Sequence, residues 1–404
     1  MISNYFSDTT KVMKSSLIRE LVAATKNVPG LISFAGGFPS PATFPKETLS
    51  RLYSEVVAED GRDVLQYGAS EGDGMLKDEL LKWEGYSQLN HDNLMTAVGA
   101  TNAIYYMGRA LINPGDVIFC EAPTFLGTLV VFDALQADVQ SIPMDSEGID
   151  LDALSAKVKQ LRAMGKNLKF VYTIPDFQNP AGISMSLARR RELLNYCKAQ
   201  NLLILEDNPY SRLRLSGEPL PTLFNIALNE MNDVSLVTEI VSFSKILGPG
   251  MRVAYAKGDK ELIHKMVSWQ QKVTVSPDCV TQRVAARFFA GGYMEPHIKW
   301  ICEFYKPYLE KMLNCLSEEM PKTVSWTKPS GGIFLWVWLP EEVNADSLFY
   351  QAKDHLVTFI PGSKFYPEGQ EKYNCLRLNF TYSTLEQIET GIKRLGGLLK
   401  TIKA

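Results

Sequence analysis

The chain has 404 residues, of which 46% are hydrophobic and 22% are charged. Both fractions are typical of globular proteins and exclude a disordered or collagen-like chain. The 42 basic and 45 acidic side chains give a net charge of −3, so the sequence lacks the basic character of a nucleic-acid-binding protein. At this length we expect two or three domains.

The sequence gives no sign of secretion, membrane insertion or metal binding. Residues Met1 to Ser16 lack the apolar core of a secretory signal, and the longest dense apolar run, Ile333 to Leu339, is too short to span a bilayer. The six cysteines include no Cys-x-x-Cys pair, and the four histidines show no metal-ligand spacing. We therefore expect no bound metal and a location in the reducing cytoplasm.

Short apolar runs alternate with helix-length segments through the middle of the chain. The runs cover residues 117–120, 170–174, 202–205, 234–241 and 253–256. Continuous apolar runs are typical of strands buried on both faces, and strands separated by helices predict a parallel sheet. We therefore expect an α/β fold whose large domain has a mostly parallel sheet flanked by helices.

The last third of the chain predicts a smaller α+β domain. Val324 to Trp326 and Ile333 to Leu339 are typical of two strands joined by a turn, and Leu376 to Phe380 predicts a third strand. A capping-box pattern, Ser383 to Glu386, predicts the start of the final helix. We expect residues 1–50 to form an N-terminal arm and part of this small domain, residues 51–290 the large domain, and residues 291–404 the C-terminal small domain.

Two motifs match catalytic patterns without their required context. Gly68-Ala69-Ser70-Glu71-Gly72 matches the nucleophile elbow of serine hydrolases, but no strong strand precedes it, so we interpret it as a glycine-rich turn. Ser242-Phe243-Ser244-Lys245 matches the Ser-x-x-Lys motif of penicillin-recognising enzymes, but their Ser-Asp-Asn and Lys-Thr-Gly motifs are absent.

Polar or aromatic side chains follow the carboxyl ends of four of the apolar runs. In chain order these residues are Phe125, Asn179, Asp207 and Lys245. In open α/β sheets the ligand crevice lies outside the carboxyl ends of the strands. We therefore expect these side chains to converge on one pocket although they are distant in sequence.

The residue types in this set fit pyridoxal phosphate. A lysine can hold an aldehyde as a Schiff base, a carboxylate can pair with a pyridinium nitrogen, and an aromatic ring can stack on the cofactor. Ser242 and Arg252 flank the lysine and could bind a phosphate. Gly99 to Thr101 precede an apolar helical segment, whose N-terminus would offer backbone N–H groups to the same phosphate.

Each residue taken singly has a structural explanation. Lys245 could be a solvated lysine at a strand end, Asp207 could cap a helix or turn, and Arg252 could pair with a surface acid. The Asn179-Pro180-Ala181-Gly182 segment could be only a turn, which its residues favour. Their joint order on successive strand ends favours the cofactor site.

Six segments along the chain match known family motifs: Ser33–Pro39, Gln66–Gly68, Gln178–Gly182, Glu206–Tyr210, Ser242–Arg252 and Leu376–Phe380. Together they resemble the class I/II aminotransferases, which are fold type I pyridoxal phosphate enzymes. The likeness covers nearly the whole chain and is strongest to the kynurenine/2-aminoadipate aminotransferases and to the catalytic domain of MocR-type regulators.

The resemblance implies catalytic and ring-binding roles for five residues. Lys245 would hold the cofactor as a Schiff base and then move the substrate Cα proton, and Asp207 would pair with the pyridine nitrogen. Tyr210 and Asn179 would hydrogen-bond the phenolic oxygen of the cofactor. Phe125, where the family usually has tyrosine, would stack on the ring.

The resemblance also implies a phosphate site that two subunits share. Ser242, Arg252 and the backbone amides of Ala100 and Thr101 would hold the phosphate. Ala100-Thr101-Asn102 replaces the usual Ser-Gln-Gln at this position. Tyr67 would reach the phosphate in the neighbouring subunit, so the active unit would be a homodimer.

Substrate binding is implied for Arg377, Gly37 and Asn179. Arg377 would hold the substrate α-carboxylate through a bidentate pair, and Gly37 would line the pocket. The segment containing Ile18 and Arg19 resembles a mobile helix that covers substrate. Arg19 could pair with a distal carboxylate, as in 2-aminoadipate, or could be a solvated helix residue.

The implied activity is transfer of an amino group from an L-amino acid to a 2-oxo acid such as 2-oxoglutarate. The donor would be of the 2-aminoadipate, aromatic or branched-chain type, and we expect no nucleic-acid or membrane partner. Decarboxylation, racemisation or β-elimination on the same cofactor is an alternative. A MocR-like regulator is a second alternative, although the likeness already begins by Ile18. A non-catalytic binding protein is a third, although Lys245 and Asp207 are both present.

Overall fold

The computed structural model describes residues 2–12 and 28–402. Its largest sheet, within these ranges, has eight strands in the order β2-β9-β8-β7-β6-β3-β4-β5. These strands are β2 (Leu94–Val98), β3 (Val117–Ala122), β4 (Asp138–Asp145), β5 (Gly148–Ile149), β6 (Leu168–Thr173), β7 (Leu203–Asn208), β8 (Val237–Ser242) and β9 (Val253–Lys257).

The pairings within this sheet confirm the prediction of a mostly parallel arrangement. The pairs β4–β3, β3–β6, β6–β7 and β7–β8 are parallel. Strand β9 runs antiparallel to both β8 and β2, and β5 runs antiparallel to β4. The central strands are buried along nearly their whole length because helices cover both faces of the sheet.

The helices begin and end at clear sequence signals. Asp73, Asp150, Ser186, Thr222 and Asp278 each accept a hydrogen bond from a first-turn amide of the helix that follows. The described α-helices are α1 (Asp8–Val12), α2 (Lys46–Val64), α3 (Gly74–Glu84), α4 (Ala100–Leu111), α5 (Leu126–Ala134), α6 (Leu151–Ala163), α7 (Leu187–Ala199), α8 (Leu223–Met231), α9 (Lys260–Thr274), α10 (Cys279–Ala290), α11 (Met294–Glu319), α12 (Ala345–Asp354) and α13 (Leu385–Thr401).

A second sheet forms in the last third of the chain. It has the order β10-β11-β14-β13 and is antiparallel, with a separate short parallel pair, β1–β12, beside it. Its strands and that pair are β1 (Ile32–Ser33), β10 (Ser325–Trp326), β11 (Phe334–Trp338), β12 (Val357–Thr358), β13 (Ile360–Pro361) and β14 (Cys375–Asn379). The predicted α+β character of this region is therefore confirmed.

The start of the last helix differs from the prediction by one residue. The N-cap of α13 is Thr384, whose hydroxyl accepts from the Gln387 amide while the Gln387 side chain accepts from the Thr384 amide. Ser383 is buried and Glu386 lies in the first turn. The capping box is present, but glutamine rather than glutamate closes it, because both residue types can accept from the cap amide.

The segment that matched the nucleophile elbow is a turn between α2 and α3. The Ser70 hydroxyl donates to the backbone carbonyl of Val275 at 2.7 Å, and the element directly before the turn is helix α2 rather than a strand. Within the described ranges, no helix is both long enough and apolar enough to cross a membrane.

Candidate active site

The carboxyl ends of three adjacent parallel strands bring the predicted residues to one edge of the large sheet. Asp207 is the penultimate residue of β7, and Asn179 lies in the loop that follows β6. Lys245 ends a short 3₁₀ helix directly after β8. The strands β6, β7 and β8 are neighbours and point the same way, so residues distant in sequence converge, as the sequence predicts.

Asp207 is a buried carboxylate with one oxygen unpaired. Its Oδ2 accepts from the Tyr172 hydroxyl at 2.8 Å, and the Tyr172 hydroxyl in turn accepts from Thr128 at 2.9 Å. Its Oδ1 has no hydrogen-bond partner in the described part of the chain. Burial raises the pKa of Asp207 to about 6, and the Tyr172 hydrogen bond opposes that rise. The free oxygen can accept one more N–H donor.

Asn179 joins two other predicted residues in one polar network. Its Oδ1 accepts from Arg377 at 3.0 Å, and its Nδ2 donates to the Tyr210 hydroxyl at 3.3 Å. Burial raises the pKa of Tyr210, although the nearby Arg377 charge opposes the rise. The three residues come from the β6 loop, the β7 loop and β14, so the network joins the two sheets.

Arg377 is a buried cation with spare donor capacity. Its guanidinium also donates to the Ala35 carbonyl at 2.9 Å and lies 4.0 Å from the ring centroid of Phe334 and 4.9 Å from that of Phe365. Its Nε is buried without a hydrogen-bond partner among the described residues. Burial lowers its pKa to about 10. A buried guanidinium in this state is suited to bind a carboxylate.

Lys245 and Gly37 are in direct contact. The Lys245 amine donates to the Gly37 carbonyl at 2.7 Å. Burial, together with the positive charges of Arg377 and Arg252, lowers the pKa of Lys245 to about 8. The amine is therefore closer to its neutral, nucleophilic form near neutral pH than a solvated lysine would be.

The N-terminus of α4 forms a candidate phosphate site. Ala100 and Thr101 are its first residues, and the first amides of a helix have no acceptor within it. Gly99, the N-cap, has φ +81°, and a Cβ on it would lie 2.1 Å from the Arg252 guanidinium. The guanidinium thus lies against the helix start, where an anion would meet both. Ser242 ends β8, which β9 separates from β2 in the sheet, and is buried.

Phe125 and Tyr67 form no hydrogen bond or ring contact with this network in the described chain. Phe125 is half-buried at the N-cap of α5, with its ring folded over Gly127. Tyr67 is 82% exposed, which leaves it free to contact another molecule. Arg19 lies outside the described residues, as does the predicted helix around Ile18.

The sequence analysis did not identify several residues that shape the site. Tyr172 and Glu121 lie on strands, within or directly after apolar runs, and Gln178 precedes Asn179. Phe334 and Phe365 flank Arg377 from the second sheet. Glu121 and Gln178 could have been predicted, because each is a polar residue within or after a buried strand. The aromatic residues could not, because in the sequence they resemble ordinary core residues.

The residues present fit pyridoxal phosphate. The unpaired Oδ1 of Asp207 can accept from a protonated pyridine nitrogen, and Lys245 supplies an amine for the aldehyde. The absence of a side chain at Gly99 leaves room for Arg252 at the helix N-terminus, where a phosphate would be held. In the described chain, no cluster of histidine, cysteine, aspartate or glutamate could hold a metal ion.

Comparisons with known proteins agree with this geometry. The family model described as "Aminotransferase class I and II" matches residues 32–395. An aromatic-amino-acid aminotransferase of Thermococcus litoralis is 39% identical over 399 residues, which are 98% of this chain and 94% of that protein. Regulators of the helix-turn-helix type are also similar, such as one from Bacillus subtilis at 26% identity, of which this chain covers 78%.

Solved structures give the same result. A Pyrococcus horikoshii kynurenine aminotransferase, described in complex with PMP, has a TM-score of 0.94 at 38% identity and covers 100% of this chain and 99% of its own. The α-aminoadipate aminotransferase LysN of Thermus thermophilus, complexed with N-(5'-phosphopyridoxyl)-L-leucine, has a TM-score of 0.91 at 32% identity, covering 99% and 98%. This chain therefore belongs to the class I and II aminotransferases and is a pyridoxal phosphate-dependent aminotransferase of fold type I.

Proposed function

We propose that the site moves an amino group from an L-amino acid to a 2-oxo acid with Lys245 as the proton carrier and Arg377 as the carboxylate anchor. The observation that carries this proposal is the Arg377–Asn179–Tyr210 network beside Lys245 and Asp207. Bound pyridoxal phosphate supplies the electron sink for charge that develops at Cα. The network supports binding of the substrate α-carboxylate within reach of the Lys245 amine.

Each side chain has a distinct proposed task. Asp207 keeps the ring nitrogen protonated through its free oxygen, and Tyr210 and Asn179 hydrogen-bond the phenolic oxygen. Lys245, whose pKa is lowered to about 8, accepts the substrate Cα proton at Nζ and then donates it to another reacting atom. Arg377 orients the substrate so that the Cα proton faces this amine.

The phosphate end of the site is proposed to hold the cofactor in place. The amides of Ala100 and Thr101, the Ser242 hydroxyl and the Arg252 guanidinium supply donors of the type that phosphate prefers. Phe125 is proposed to stack on the ring, since a half-buried aromatic side chain after β3 has one face to offer.

The donor is proposed to be an L-amino acid of the aromatic, 2-aminoadipate or branched-chain type, with aromatic donors favoured. Phe38 directly follows Gly37, is 49% exposed, and lies 5.8 Å from the Tyr382 ring between centroids. A pair of partly exposed aromatic rings beside the substrate pocket favours a flat apolar side chain. Arg19 is proposed as a partner for a distal carboxylate when the donor carries one.

The proposed setting is a cytoplasmic homodimer in which Tyr67 reaches the phosphate of the partner's site. We also propose that residues 51–290 form the cofactor-binding domain, and that residues 1–50 and 291–404 form the arm and small domain. The end of the large sheet at Lys257 and the start of α11 at Met294 support that division.

The visible absorption spectrum of the purified protein tests the reaction. We expect a band from bound cofactor that bleaches with an L-amino-acid donor and returns when a 2-oxo acid is added. A band that shifts permanently without this cycle would indicate decarboxylation, racemisation or elimination. Lys245→Ala should lose the band's response and turnover, because no other amine replaces it; wild-type turnover in this variant would refute the assignment.

A further inference from the structure

A buried carboxylate lies beside the active site and has no assigned task. Glu121 is the penultimate residue of β3 and is 1% exposed. Its carboxylate accepts from the Thr173 hydroxyl, from the Ile174 amide at 3.2 Å and from the Gln178 side chain at 3.1 Å. All three partners in the described chain are neutral donors, so burial of this group is costly unless each bond is kept.

Gln178 connects Glu121 to two loops. Its Nε2 also donates to the Pro123 carbonyl at 2.7 Å, and its Oε1 accepts from the Ala181 amide at 2.8 Å. Its backbone amide donates to the Ile183 carbonyl at 2.8 Å. The Gln178 side chain is therefore held at both ends, between the loop after β3 and the loop after β6.

These two loops carry residues of the proposed cofactor site. Asn179 follows Gln178 directly and holds both Arg377 and Tyr210. Phe125 lies two residues after Pro123, the other end of the Gln178 contact. A shift of the Gln178 side chain would move the polar network and the stacking ring relative to each other.

The other anchors of the β6 loop do not replace this one. Asp176 forms ion pairs with Arg190 at 3.0 Å and with Arg214 at 2.8 Å, on the part of the loop before Gln178. These contacts hold the β6 loop to α7 and to the loop that follows β7. Only the Glu121–Gln178 contact, among those described, joins the Asn179 loop to the Phe125 loop through a buried carboxyl group.

We propose that Glu121 is a positioning residue that, through Gln178, sets Asn179 and Phe125 around the cofactor ring. Burial raises the pKa of Glu121 to about 7, and the hydrogen bonds from Thr173, Ile174 and Gln178 oppose that rise. The ionised carboxylate can accept all three bonds at once, since it has about four acceptor sites. A neutral amide at this position has a single acceptor oxygen, and its two N–H groups would face donors instead of acceptors. The inference rests on the proposed function, because it assumes that Asn179 and Phe125 contact the cofactor and that Arg377 contacts the substrate.

The first test compares wild type with Glu121→Gln. Apoprotein is titrated with pyridoxal phosphate and the dissociation constant is read from the visible absorption band. We expect the constant to rise about tenfold or more, because misplacing one buried, charge-assisted contact costs at least that much. We also expect KM for the amino donor to rise more than kcat falls, since Arg377 loses its fixed partner. Wild-type values for both constants would overturn the proposal.

A second pair of variants keeps the test valid if Glu121→Gln does not fold. Thr173→Val removes one donor to Glu121 and should weaken cofactor affinity in the same direction, whereas Thr173→Ser keeps the hydroxyl and should restore it. Equal affinities for the valine and serine variants would overturn the proposal.

Asp116→Asn is the matched control. Asp116 is also a buried carboxylate, and it accepts from the Asn113 amide at 2.8 Å and from the Asn167 side chain at 2.7 Å and pairs with Lys169 at 3.2 Å. It lies before the amino end of β3, at the opposite end of that strand from the two loops. We expect it to lose stability yet keep wild-type cofactor affinity; equal weakening in this control would overturn the positioning role. If wild type binds cofactor but transfers no amino group, the proposed function fails while this comparison still decides the role of Glu121.

Discussion

At the residue scale, the site depends on groups that burial has moved away from their ordinary ionisation. Burial raises the pKa of Asp207 to about 6 and lowers that of Lys245 to about 8. Both shifts bring the charged and neutral forms close in free energy near neutral pH. A lysine whose pKa approaches the working pH is suited to proton transfer.

Tyr172→Phe tests whether Asp207 must be ionised. The Tyr172 hydroxyl donates to Oδ2 and favours the charged carboxylate, so its loss should raise the pKa of Asp207. The acid limb of the pH profile of kcat/KM should then move to higher pH. Tyr86→Phe, which removes a buried hydroxyl near Asn225 instead, should leave the limb in place. An unmoved or lower limb in Tyr172→Phe would contradict the prediction.

The sequence predicts the placement of the proposed reactive residues better than that of the residues that support them. Lys245, Asp207 and Asn179 were predictable because polar residues after apolar runs mark the carboxyl ends of parallel strands. Tyr172 was not, because a tyrosine inside an apolar run is compatible with ordinary core packing. Its task depends on which strand lies next to β6, and local sequence does not specify strand order.

At the element scale, the junction of β2 and α4 decides whether a phosphate can be held. The strand ends at Val98, Gly99 follows with a positive φ, and α4 starts at once. Only glycine allows both this backbone conformation and the close approach of Arg252. The same arginine has φ +54°, so its own backbone is held in an uncommon conformation at the site.

Gly99→Ala should therefore weaken cofactor binding. The new methyl group would lie 2.1 Å from the Arg252 guanidinium and displace it, so we expect at least a tenfold rise in the dissociation constant of pyridoxal phosphate. The measurement is the absorbance titration of apoprotein. Gly85→Ala is the control, because Gly85 also has a positive φ, +71°, but no atom within 4 Å of the new methyl group. Equal affinity losses in both variants would show that backbone strain, not the collision, is responsible.

The local pattern of β14 predicts the strand but not the burial of both its faces. The alternation in Leu376 to Phe380 correctly predicts a strand, yet every residue of β14 is buried. The face that carries Arg377 and Asn379 is covered by the N-terminal segment, since Arg377 donates to Ala35 and Asn379 to Phe38. That contact spans more than 340 residues, and no local periodicity can indicate it.

At the scale of the whole molecule, exposed apolar side chains occur around the turn that carries Tyr67. Leu65 is 69% exposed, Tyr67 is 82% exposed, and Val275, tied to the same turn through Ser70, is 51% exposed. Exposed apolar residues grouped in this way are typical of a contact between proteins. They support the proposal that a second copy of the chain covers this surface and that Tyr67 enters the partner's site.

Mixing two inactive variants tests whether each site is shared between subunits. If Tyr67 acts in the partner's site, a dimer of one Lys245→Ala chain and one Tyr67→Ala chain contains one intact site. Random exchange of subunits should then restore roughly a quarter of wild-type activity, since half of the dimers are mixed and each has one intact site of two. Mixing Lys245→Ala with Asp207→Asn is the control, because Lys245 and Asp207 lie at the same sheet edge of one chain and no mixed dimer gains an intact site. Recovery in neither mixture, with Tyr67→Ala itself inactive and subunit exchange verified by mass, would assign Tyr67 to its own chain's site.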